Sequence, residues 1–240
     1  ASLLSFPPMF SRSVAMRRLG VLASQCIQRE TSTSGRARQF SQNAVAASEP
    51  LVICRIDEAK RLAIVTLNDP KRLNALTVDM GDALIKVVND LKEGAVAKGI
   101  ARAVVLTGAG RAFSAGGDLS WLKARTEVAK VQPAENSATM LDFYRRFLYI
   151  RSLPVPVVAA VDGPAIGAGA CLALACDYRV ASSAAKIGFT FVGLGIHPGM
   201  AATQYLRTVA GPQVTARMLL TGDVVSGHEA FRLGMVGELV

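Results

Sequence analysis

Metal-binding side chains are scarce in this chain. It holds two histidines, His197 and His228, and four cysteines, Cys26, Cys54, Cys171 and Cys176, with no Cys-x-x-Cys pair. A structural zinc site needs four ligands at short, regular spacings, so none is expected. The same scatter argues against a disulfide framework and for free thiols in a reducing compartment. Nowhere do roughly 20 apolar residues run together, so no membrane-spanning helix is expected. Aromatic residues make up only 6% and do not alternate with basic ones, which argues against a nucleic-acid partner that stacks its bases.

What is present is a core. Hydrophobic residues make up 51% of 240, enough for one large domain. The net charge of +9 is unevenly spread. Residues 1–50 carry six arginines against Glu30 and Glu49, a balance of +4 that leaves +5 for the remainder. Residues 1–48 are rich in Ser, Arg, Ala and Gln and nearly free of acids. Apolar and arginine positions in Met16–Gln28 suit a short basic amphipathic helix. This is the composition of a mitochondrial transit peptide, and Arg38-Gln39-Phe40-Ser41 suits matrix processing after Phe40. The expectation is a leader over 1–48, a domain over 51–240 and a matrix location.

From Leu51 the pattern changes to alternating strands and helices. Leu51–Ile56 and Leu62–Leu67 are predicted strands joined by the polar turn Asp57–Arg61. Thr77 is placed to cap a helix carrying Met80, Leu84, Val87, Val88 and Leu91 at helical spacing. Ala103–Leu106 is a short buried strand, followed by the loop Thr107–Asp118. A helix is predicted over 134–152, with Met140, Phe143, Phe147 and Ile150 on one face. Val157–Val161 is a core strand that leads through Gly163–Gly169 into the apolar helix Ala170–Ala175. Such alternation predicts an α/β fold with a mostly parallel sheet.

Glycines at 163, 167 and 169 match the G-x-x-x-G-x-G turn of dinucleotide-binding dehydrogenases. That turn should follow the first strand of its domain, and here about 110 residues precede it. Neither Tyr178 nor Tyr205 has a Lys four residues on, so a lone glycine pattern carries little weight.

Several segments, in order, resemble the crotonase (enoyl-CoA hydratase/isomerase) family. They are Asn68–Leu76, Ala112–Leu119, Pro156–Asp177 (PVVAAVDGPAIGAGACLALACD), Gly195–Gly199, Leu220-Thr221-Gly222 and Ala230-x-x-x-Gly234-Met235-Val236. The resemblance spans about residues 51–240. It implies a spiral of ββα turns, assembly as trimers or dimers of trimers, and an acyl-CoA thioester as substrate. Coenzyme A would enter as part of that substrate and not as a separate cofactor.

Chemistry beside a thioester carbonyl places negative charge on its oxygen. A fixed N–H aimed there is worth about 3–4 kcal/mol in other enzymes. One donor suits a glycine loop, where a missing Cβ admits the substrate, and the resemblance assigns Gly117. The second suits a helix N-terminus, and the assigned residue is Ala168. By the same matching Arg72, Leu73 and Ala75 border the CoA moiety. Ala115, Asp118, Leu119, Ile166 and Gly167 line the thioester channel. Asp118 is equally placed to cap a helix beginning at Leu119.

The sequence also departs from the family. Its hydratases use two glutamates, and at those positions this chain has Cys171 and Phe191. A phenyl ring has no proton to give and a thiol titrates near ~8.5, so ordinary hydration is not expected. His197 is the remaining acid-base candidate, with a packed or solvent-facing turn histidine as the alternative. Cys171 reads either as an activated nucleophile or as a buried inert thiol. A non-catalytic CoA-binding or scaffold protein is the rival reading. The family continues with helices that close over the CoA. Here Gly237-Glu238-Leu239-Val240 ends where those helices begin, so the domain is expected to lack them.

Overall fold

The computed structural model describes residues 49–240, together with Val21, Ala23 and Gln25. The expected processing site after Phe40 and most of the arginine-rich leader lie outside the described residues.

Strands β1 (Val52–Asp57) and β2 (Leu62–Leu67) form an antiparallel hairpin with Val52 opposite Leu67 and Asp57 opposite Leu62. β1 is an edge strand with three exposed residues, whereas β2 alternates toward the core. Helix α1 (Val78–Leu91) starts where Thr77 accepts the Met80 N–H at 3.2 Å. Its buried side chains Met80, Leu84, Val88 and Leu91 recur every three or four residues and form one stripe against the sheet.

Strand β3 (Ala103–Gly108) is buried throughout, as expected of a strand covered on both faces. Helices α2 (Leu119–Val131) and α3 (Pro133–Leu148) follow as a pair. Asp118 caps α2, accepting the Trp121 N–H at 2.8 Å. Pro133 opens α3, where its missing N–H costs no helical bond. The predicted span 134–152 is thus an α-helix to Leu148 with a 3-10 turn over Tyr149–Ser152.

From here the chain repeats a strand in one sheet, a strand in a second sheet, and a helix. β4 (Val157–Val161), β5 (Pro164–Ile166) and α4 (Ala168–Ala175) make one such turn. β6 (Tyr178–Ala181), β7 (Lys186–Gly188) and α5 (Ala202–Thr221) make the next. β8 (Val224–Ser226), α6 (Gly227–Arg232) and β9 (Glu238–Leu239) complete the described part.

The larger sheet has the order β1-β2-β3-β4-β6-β9, parallel except for the first pair, and the smaller has β5-β7-β8. Isolated parallel bridges join Leu76 to Gly117 and Ser114 to Ala165, tying the loop after β3 to the edge of the small sheet. The main core lies between the sheets and helices and includes Leu76, Leu106, Phe113, Phe147, Leu172 and Phe189. Among the described residues no helix is long and apolar enough to cross a membrane.

Candidate active site

The loop between β3 and α2 is fastened from below by buried polar groups. Asn74 is fully buried and left-handed at φ 54°, a conformation its short side chain tolerates better than most. Its Oδ1 accepts the Asp69 N–H at 2.8 Å, and its Nδ2 donates to the carbonyls of Ala109 (2.9 Å) and Ala112 (2.8 Å). The Ser114 hydroxyl donates to the Asn74 carbonyl at 2.8 Å and accepts from the Gly116 N–H at 3.2 Å. The segment Asn68–Leu76 therefore acts here as a cradle for residues 109–116.

On this cradle the chain presents one amide without a partner. Leu76 donates to the Gly116 carbonyl at 2.7 Å, and Asp118 donates to the Leu76 carbonyl at 3.2 Å. Gly117 lies between them, and its N–H donates to no protein acceptor among the described residues. Gly116 has φ 95°, and a Cβ there would stand 2.5 Å from the Ile166 carbonyl oxygen and 3.5 Å from the Ala168 nitrogen. Only glycine fits this approach. Ala168 is the first residue of α4, so its own N–H has no acceptor within the helix.

Gly117 and Ala168 line one cavity, together with Ala115, Leu119, Ile166, Gly167 and Phe191. Phe143 and Tyr144 of α3 contribute aromatic rings to its lining, which Thr190 and Leu194 also join. Trp121 stacks on Phe143 with centroids 4.7 Å apart, and Phe143 meets Tyr144 edge-on at 5.9 Å. No Asp, Glu, His, Lys or Arg of the described residues lines the cavity. Two amides and the start of a helix in such an apolar surround favour a negative charge that develops on a bound oxygen.

Other residues assigned by resemblance lie apart from this cavity. Arg72 is exposed and pairs with Asp69 at 2.6 Å, while Leu73 and Ala75 sit in the cradle. Asp118 is engaged as the α2 cap. Cys171 is fully buried one turn into α4, with Sγ 3.8 Å from the Gly199 carbonyl oxygen. Burial pushes its thiol far above the ordinary range, which keeps it neutral and a poor nucleophile. His197 is exposed in the loop before Gly199 and is not among the cavity residues. Among the described residues no three metal-binding side chains cluster.

Sequence reasoning did not single out Tyr144 or Thr190, the two residues with polar side chains among those that line the cavity. Burial raises the Tyr144 phenol above its usual value, and the neighbouring Cys171 adds to the effect. Tyr144 falls among Phe143 and Phe147 in the helical pattern and so reads as core.

Fold and site together define an α/β spiral with two unpartnered amides on one apolar cavity. The sequence model of the enoyl-CoA hydratase/isomerase family matches residues 57–240, and the chain belongs to that family. A Thermus thermophilus relative is 39% identical over 182 residues, which are 76% of this chain and 69% of that one. The crotonyl-CoA hydratase of Syntrophomonas wolfei is 36% identical, over 77% of this chain and 68% of its own. A Thermobifida fusca protein solved in complex with CoA aligns at TM-score 0.67 and 30% identity, over 80% of this chain and 72% of that one. The chain thus spans about two thirds of the length of these relatives.

Proposed function

We propose that the chain binds an acyl-CoA thioester with its carbonyl oxygen between the N–H groups of Gly117 and Ala168, and stabilises the enolate-like anion formed there. The observation that carries this reading is the pair of unpartnered amides on one apolar cavity. The solved Thermobifida fusca relative with bound CoA supports it. Each donor acts most strongly on charge that appears during reaction, because the fixed dipoles need no reorganisation.

Hydration of a simple trans-2-enoyl-CoA fits the described residues poorly. Adding water across the double bond needs a base toward water and an acid toward the α-carbon, each worth about 10²–10⁴-fold. Cys171 is buried and neutral, Phe191 carries no proton, and His197 is not at the cavity. Weak hydration is therefore the expected result, with thioester binding retained.

Titration of wild type and Gly117→Pro with acetoacetyl-CoA and with free CoA tests the site. Proline deletes one amide proton, so the variant should lose far more affinity for the β-keto thioester than for CoA. Equal losses for the two ligands would make Gly117 a packing residue. Delivery to the mitochondrial matrix is supported by the composition of residues 1–48 alone. A reporter fused to those residues that remained in the cytosol would overturn it.

A further inference from the structure

A second cavity, of about 340 Å³, opens at the other end of α4 and shares no lining residue with the first. Two arginines line it, Arg151 from the turn after α3 and Arg179 from β6. Both close the C-terminus of α4. Arg151 Nη1 donates to the Ala175 carbonyl at 3.1 Å, and Arg179 Nη1 donates to the Cys176 carbonyl at 2.8 Å. Arg179 Nε also donates to the Met235 carbonyl at 2.8 Å. These bonds use one nitrogen of Arg151 and two of Arg179. Each guanidinium keeps N–H groups without an acceptor among the described residues.

Neither guanidinium forms a salt bridge among the described residues. For Arg179 this is unusual, since the residue is only 9% exposed and buried charges are normally paired. Desolvation pulls its pKa below the ordinary value, yet a guanidinium stays charged in a protein. Arg151 is exposed but held, with its guanidinium carbon 5.1 Å from the centre of the Tyr205 ring. Asp177 is the carboxylate on the cavity, and its Oδ2 accepts the Val157 N–H at 2.8 Å. Two positive charges against one negative leave a single positive charge to be balanced. Leu174, Val209 and the Tyr205 ring supply apolar surface to the same cavity.

We propose that this cavity is a binding site for a small organic monocarboxylate, with its carboxylate on Arg151 and Arg179 and its apolar body along Leu174, Val209 and Tyr205. The planar fork of a guanidinium matches a carboxylate, and charge on both partners strengthens the N–H to oxygen bonds. A monoanion neutralises the cavity, whereas a dianion would leave it negative beside Asp177. A volume of about 340 Å³ is enough for a carboxylate carrying a short apolar chain. The site stands apart from the thioester reading, because α4 separates the two cavities. Ala168 opens that helix at the amides, and Leu174 lies near its far end.

The test is titration of the full chain with sodium butanoate at constant ionic strength, followed by NMR chemical shifts. Wild type should saturate with a millimolar dissociation constant, in keeping with so small a ligand. Butanamide has nearly the same shape and no charge, and should bind about tenfold more weakly. Arg151→Gln should weaken butanoate about tenfold and leave the affinity for acetoacetyl-CoA unchanged. Asp177→Asn keeps an acceptor for the Val157 N–H and removes the opposing charge, so it should bind butanoate severalfold more tightly. Absence of saturable binding overturns the proposal, and so does equal binding of butanoate and butanamide. Butanoate affinity that ignores both variants places the ligand elsewhere and overturns it too. Phosphate bound more tightly than butanoate overturns the choice of a monocarboxylate. If Arg151→Gln does not fold, Asp177→Asn and the butanamide comparison still decide.

Discussion

Leu76 donates its N–H to the Gly116 carbonyl at 2.7 Å, and this bond fixes which way the next amide faces. With the Gly116 carbonyl turned toward Leu76 and the Asp118 N–H returning to the Leu76 carbonyl, the Gly117 N–H is left facing the cavity. Pre-organisation here is a matter of backbone pairing outside the regular sheets.

The two adjacent glycines should therefore respond differently to alanine. At Gly116 the added Cβ meets a backbone carbonyl at 2.5 Å and the backbone is left-handed at φ 95°. Gly116→Ala should lose about 2–4 kcal/mol of stability, and acetoacetyl-CoA affinity with it. At Gly117 the nearest atom is the flexible tip of Leu122 at 3.2 Å. Gly117→Ala should unfold within about 1 kcal/mol of wild type by urea titration.

Removal of the Asn74 side chain should be as damaging as a change in the core. Asn74→Ala deletes three hydrogen bonds and leaves the Ala109 and Ala112 carbonyls without that donor. A loss of about 2–4 kcal/mol is expected from chemical unfolding. Asn74→Asp should not rescue it, since a carboxylate cannot donate to either carbonyl. Rescue by Asp would mean that only the bond to the Asp69 N–H matters.

Periodic elements were legible in the sequence. Leu62–Leu67 and Val157–Val161 are strands at their predicted bounds, and Thr77 caps α1 as placed. The small sheet was not, because strands of three residues such as Lys186–Gly188 are too short to show a period of two. Helix α4 begins at Ala168, two residues before its apolar run, since Ala168 and Gly169 sit in a glycine-rich stretch that reads as turn. Asp118 was equally a ligand and a cap from sequence, and the structure shows the cap. The place of Tyr144 depends on its meeting with Gly199, 55 positions away, which no local pattern encodes.

His197→Ala should leave the affinity for butanoyl-CoA and acetoacetyl-CoA unchanged within about twofold, the range expected of an exposed side chain away from the ligand. Measured beside Gly117→Pro, it separates the cavity from the loop that follows it. A large loss for His197→Ala would bring that loop into the binding site.

Stability should fall on the alkaline side because of two thiols. Cys171 and Cys176 are both fully buried, and desolvation raises both above the ordinary 9.0, Cys176 to about 12 with Arg179 opposing the rise. In the unfolded chain these thiols ionise near 9, while in the folded protein they stay protonated. The folded state therefore binds more protons in this window, and stability falls as pH increases. The contribution is complete below pH 9 and is lost progressively toward about pH 12. Each thiol can contribute a slope of up to about 1.4 kcal/mol per pH unit. Urea unfolding between pH 8 and 10.5 should show this decline in wild type. The double variant Cys171→Ala and Cys176→Ala should be less stable at pH 8 yet less sensitive to pH, with a residual slope from Cys54, whose thiol burial and Asp90 also raise, and at higher pH from Tyr144 and Tyr178. Equal slopes for the two proteins would show that neither thiol is shielded from solvent.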